Sequence, residues 1–76
     1  MIKTAIIKIN GLNDVYEFIR KASLVDGDVT VVRGKYAVDA KSILGVFSID
    51  MSRETTIHYP ADASAFDEFI QPFIVK

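Results

Sequence analysis

The stretch Asp39-Ala40-Lys41-Ser42-Ile43-Leu44-Gly45-Val46-Phe47-Ser48-Ile49 constrains this chain more than any other. Ser42 is a residue type that caps helices, and the residues behind it are mostly apolar. A helix this short does not hold itself together in water, so it has to lie on something or be touched by something. With 76 residues and no cysteine, no disulfide or thiolate metal site supports the fold. The surrounding elements must supply the core, and the length predicts one domain over 1–76.

Hydrophobic residues make up 50% of the chain and charged ones 25%, the balance of a globular domain rather than a disordered one. A net charge of −1 with no lysine or arginine run leaves no electrostatic footprint for nucleic acid. No apolar run approaches the roughly 20 residues of a membrane span, and Met1–Lys8 lacks the uninterrupted apolar core of a signal peptide. A cytoplasmic protein without membrane association is expected.

Residues 2–9 are isoleucine-rich and end at the turn signal Asn10-Gly11, which predicts a first strand. Its register stays open, because Ile2, Thr4 and Ile6 share one face while Ala5, Ile7 and Ile9 share the other. From Leu12, apolar residues recur every three or four positions. Leu12, Val15, Tyr16, Ile19, Ala22 and Phe18 would form one broad helical face. Asn13 or Asp14 is the expected N-cap, and the second choice puts Glu17 in a capping box. Gly27 marks the end of the connection that follows.

Strands are predicted over 28–32 and 36–39 around an Arg33-Gly34-Lys35 turn, then the Ser42 helix to about Ile49, and a strand over 54–59 stopped by Pro60. Asp62 or Ser64 would cap a last helix with the stripe Phe66, Phe69, Ile70 and Phe73, kinked or ended by Pro72. The order is βαββαβα. It predicts an α+β open-faced sandwich, a four-stranded antiparallel sheet with its helices on one face.

Asn10-Gly11-Leu12 before the first helix, Gly34-Lys35 in the hairpin and Lys41–Ile49 together resemble HPr, the phosphocarrier of the bacterial sugar phosphotransferase system. In that family the residues after Asn-Gly-Leu are His-Thr-Arg-Pro-Ala, and the histidine carries a phosphoryl group received from phosphoenolpyruvate. Here the same positions read Asn13-Asp14-Val15-Tyr16-Glu17. An imidazole nitrogen is nucleophilic, whereas the amide lone pair of Asn13 is delocalised into its carbonyl. Val15 stands where the family has a phosphate-steadying arginine, and Asp14 and Glu17 repel an anion while complementing the helix dipole. A histidine phosphocarrier is therefore not expected at Asn13, and neither is an enzyme.

The resemblance further implies a regulatory serine at Ser42, phosphorylated from ATP by an HPr kinase/phosphorylase-like kinase, with a transcriptional regulator as a second class of partner. A plain helix cap is the alternative for the same residue. Ile43, Leu44 and Phe47 lie three to four apart and are expected to present an apolar patch to a protein partner, while Val46 and Ile49 turn to the core. Gly45 would let that partner approach closely.

Two other readings stay open. The chain is an HPr-fold binding or dimerisation module pairing as a homodimer through its isoleucine-rich first strand, or it is a phosphocarrier in sugar uptake using His58. His58, the chain's only histidine, has no second ligand at metal spacing, so no metal and no cofactor are expected.

Overall fold

A computed structural model describes residues 1–75. Strand β1 (Ile2–Ile7) leads to helix α1 (Leu12–Ser23), the hairpin β2 (Thr30–Arg33) and β3 (Tyr36–Asp39), helix α2 (Ile43–Phe47), strand β4 (Thr55–Pro60) and helix α3 (Ser64–Ile70). A 3₁₀ turn, Gln71–Phe73, follows, with Pro72 inside it. Pro72 has no amide hydrogen to continue an α-helix, and α3 ends before it as its position predicts.

The sheet order is β1-β4-β2-β3, antiparallel throughout. β4 lies between β1 and β2, with His58 opposite both Thr4 and Thr30. Thr55, Ile57 and Tyr59 are buried while Thr56, His58 and Pro60 are half-exposed, the period-2 alternation of a sheet covered on one face. The same pattern decides the register left open for β1. Ile7 and Ile9 are buried and Ala5 packs on the core, whereas Ile2, Thr4 and Ile6 face outward.

All three helices cover the inner face. Val15, Phe18, Ile19 and Ala22 of α1, Val46 of α2 and Phe66 and Ile70 of α3 close the core over Val31, Ile57 and Tyr59. Phe66 packs its ring between Phe18, at 5.7 Å, and Tyr59, at 5.3 Å edge-on. The α+β open-faced sandwich expected from the sequence is the architecture observed.

Several boundaries differ from expectation. β1 ends at Ile7, although the Ile9 amide still donates to the Met51 carbonyl at 2.7 Å. β2 starts at Thr30 rather than 28, with the Val29 carbonyl instead accepting from the Ala40 amide. Pro60 is the last residue of β4, tolerated because β2 has already ended and only β1 flanks it. The hairpin turns on Gly34 at φ 59° with Lys35 in ordinary backbone, as a two-residue type II′ turn requires. Gly27, at φ 128°, also faces the Pro60 ring, which a Cβ would meet at 3.0 Å.

The caps expected for α1 and α3 are not formed. Gly11 is the N-cap of α1 and makes no side-chain bond, so Asn13 and Asp14 lie inside the first turn. Glu17 does not reach back for a capping box; it pairs with Arg20 at 2.8 Å. Ala63, not Asp62 or Ser64, occupies the N-cap of α3.

The segment after the 3₁₀ turn runs antiparallel along the outer edge of β1. The Lys8 amide donates to the Phe73 carbonyl and the Val75 amide to the Ile6 carbonyl, both at 2.9 Å, around a bridge between Ile7 and Ile74. The edge expected for strand addition is thus occupied from Ile6 to Lys8, and among the described residues no strand pairs with it from Ile2 to Thr4.

Candidate functional site

Helix α2 begins where the sequence predicts. Ser42 is extended, at φ −92° and ψ 113°, and its Oγ accepts the Gly45 amide at 3.1 Å. The helix is shorter than expected, ending at Phe47. The Ser48 hydroxyl donates to the Gly45 carbonyl at 2.6 Å, and the Ile49 amide closes onto the Val46 carbonyl. Gly45 serves the chain itself: a Cβ there would meet Ser42 Oγ and Val38 Cβ, each at 3.2 Å. The glycine makes room for the cap and for the helix to sit on β3.

Ser42 is exposed. Lys41 beside it is turned away, its ammonium donating to the carbonyls of Val25 at 3.2 Å and Gly27 at 2.9 Å. The neighbourhood of the Ser42 hydroxyl therefore includes the backbone amides of the first α2 turn, of which that of Gly45 is already bonded to Oγ, groups suited to an acceptor oxygen.

The three apolar residues singled out on α2 are all exposed: Ile43, Leu44 at 85% and Phe47. Val46 and Ile49 are buried, as their spacing predicts. The sequence pattern missed two further members of this surface. Leu12 and Tyr16, members of the broad apolar face expected for α1, are 61% and 51% exposed. Tyr16 packs its ring on Phe47 at 5.2 Å with a 59° tilt, joining the outer side of α1 to α2. Leu12 and Phe47 also rim a hollow of about 320 Å³ at the start of α1, floored by Val15, Ile49 and Met51. The signal that would have found them is the breadth of the α1 stripe, since Leu12 and Tyr16 lie one turn apart on the flank opposite Phe18 and Ala22.

Asn13 and Asp14 are exposed on the first turn of α1. Glu17 is held below the ordinary carboxylate range by its hydrogen bond to Arg20 and then by the nearby positive charges. No histidine stands in this turn. His58 lies on the sheet face away from the helices, its Nδ1 at 3.0 Å from Thr4 Oγ1. It is on the opposite side of the sheet from Ser42 and the apolar surface, so the structure does not bring it to α1. Among the described residues, no group of three or more histidine, aspartate or glutamate side chains is placed to hold a metal ion, and no helix is long and apolar enough to cross a membrane.

No protein-family model matches this sequence, and no curated protein does. Solved structures do match. The crystal structure of the phosphocarrier protein HPr from Bacillus anthracis strain Ames superposes with a TM-score of 0.70 at 25% identity, over 99% of this chain and 96% of that one. HPr-C-His from Thermoanaerobacter tengcongensis gives a TM-score of 0.67 at 21% identity, over 92% of this chain and 85% of that one. Strand order, helix placement and these superpositions agree: the chain has the open-faced fold of the HPr phosphocarrier proteins.

Proposed function

We propose that this chain is a phosphotransferase-system-related protein that works by docking to other proteins and not as a histidine phosphocarrier or an enzyme. The observation that supports this most is the set of exposed apolar residues Leu12, Tyr16, Ile43, Leu44 and Phe47, joined across α1 and α2 by the Tyr16–Phe47 contact, beside a first α1 turn without a histidine. An apolar surface rimmed by polar residues is the common mark of a protein-binding site. The partner classes are a kinase of the HPr kinase/phosphorylase kind and a transcriptional regulator, in the cytoplasm.

Ser42, at the edge of this surface, is the proposed phosphorylation site. Its Oγ would attack the γ-phosphorus of ATP, ADP would leave, and the hydroxyl proton would pass to a base on the kinase. The product phosphate adds about 1.5 to 2 negative charges next to the α2 amides, which accommodates the modification and changes the charge a partner meets.

Intact-mass analysis after two parallel incubations tests the reading. One contains ATP and HPr kinase, the other phosphoenolpyruvate and the first enzyme of the phosphotransferase system. Phosphate added only from ATP, and lost in Ser42→Ala, is the expected result. Transfer from phosphoenolpyruvate, above all if lost on replacing His58, would overturn it.

A further inference from the structure

Three cations distant in sequence meet at one end of the sheet. Lys8 follows β1, Arg33 ends β2 and Arg53 leads into β4; with Ser52 and Glu54 they line an open hollow of about 440 Å³. The sheet order causes this. β4 is antiparallel to both of its neighbours, so its start meets the ends of β1 and β2.

Arg33 is fixed in place. Its Nη2 donates to the Asp50 carbonyl at 2.7 Å and to Thr55 Oγ1, whose hydroxyl in turn donates to the Arg53 carbonyl at 2.9 Å. Arg33 Nε is buried and, among the described residues, has no hydrogen-bond partner. Lys8 and Arg53 are exposed, and neither forms an ion pair among the described residues. Asp50, a carboxylate outside the lining, accepts the Ser52 amide at 3.0 Å and the Ser52 hydroxyl. It is held below the ordinary carboxylate range first by those two bonds and then by the charges of Arg33 and Arg53. Among the described residues Glu54 is the one anion lining the hollow, against three cations, in a chain whose net charge is −1.

We propose that this hollow is a binding site for a small oxyanion with two or more charged oxygens, of the phosphate or carboxylate class. Arg33 supplies a rigid guanidinium at the back, while Lys8 and Arg53 close on the ligand from the rim. Glu54 opposes binding and sets its strength. The site uses no residue of α1 or α2, although Ser52 lines both it and the hollow rimmed by Leu12 and Phe47.

The test is a titration of the ¹⁵N-labelled full chain with inorganic pyrophosphate, and separately with malonate, at constant ionic strength. Saturable shifts at Lys8 and residues 52–54 are expected. Lys8→Gln and Arg53→Gln should each weaken binding about three- to tenfold, and Glu54→Gln should tighten it. The glutamine variants replace exposed side chains, and unchanged spectra elsewhere verify the fold. Saturation with pyrophosphate alone assigns the phosphate class, and with malonate alone the carboxylate class. Absence of saturation with both anions, or saturation that the three variants leave unaltered, would overturn the site.

Discussion

Tyr59 offers a measurable link between one buried hydroxyl and the stability of the whole sheet. Its ring is 1% exposed, wedged under Phe66, and its hydroxyl donates to the Asp67 carboxylate, which also pairs with Lys3 at 3.1 Å. Burial, and then the hydrogen bond and charge of Asp67, push the phenol from 10.0 up to about 12. The folded state thus holds this proton more tightly than the unfolded chain does. The corresponding stability is complete below pH 10 and is lost as pH rises toward about 12. At about 1.36 kcal/mol per pH unit the full effect would be about 2.7 kcal/mol. The Asp67 side chain is 26% exposed, so solvent screening brings the expected value to roughly 1 to 2 kcal/mol. Urea unfolding of the natural chain and of Tyr59→Phe, at a series of pH values, reads it directly. The natural chain should be the more stable near neutrality, and the difference should close between pH 10 and about pH 12. Parallel stability curves across that range would refute the linkage.

Other substitutions separate the roles of residues around α2. Ser42→Ala should lose about 1 kcal/mol, seen as a drop in Tm of about 4 to 8 °C, while Ser42→Asp keeps the cap and the Tm. Gly45→Ala should destabilise despite alanine's helix preference, because the added methyl meets Ser42 Oγ and Val38 Cβ at 3.2 Å; thermal unfolding gives the sign. Leu44→Glu, at an 85% exposed position, should leave stability within about 0.5 kcal/mol of the natural chain while abolishing binding of the phosphorylating kinase in a pull-down.

What could be read from the sequence was the order of elements, because each has its own local mark: Gly34 in the hairpin, Ser42 before an apolar helix, Pro72 after the last one. What could not be read depends on neighbours. Leu12 and Tyr16 have helical spacing equal to that of Val15 and Ile19, and only the position of the sheet decides which flank of the stripe is covered. Asn13 and Asp14 are both good capping types, yet the chain enters α1 at Gly11, and Arg20 draws Glu17 away from the capping position. The face of β1 was ambiguous because isoleucines occupy both sides; the covered face of β4 settles it, with Ala5 packed opposite Ile57 and Ile7 buried opposite Thr55. That Ser42, Ile43, Leu44 and Phe47 would be exposed together could be read because they belong to one short helix and its cap. Lys8, Arg33 and Arg53 leave no sequence pattern, since only the strand order brings them together.

The central place of β4 also makes the fold divisible. Residues 1–50 contain β1 and the β2–β3 hairpin, but these are not neighbours in the sheet, and the space between them is one strand wide. A peptide of residues 54–75 would fill that slot, matching β1 on one edge and β2 on the other while bringing Phe66 and Ile70 to seal the apolar layer. Two fragments cut in the Met51–Arg53 loop are therefore expected to find each other and reassemble without a covalent link, as an insert completes a torn page. The same geometry makes this protein a natural split reporter, one in which recovery of the whole depends on the arrival of a single strand.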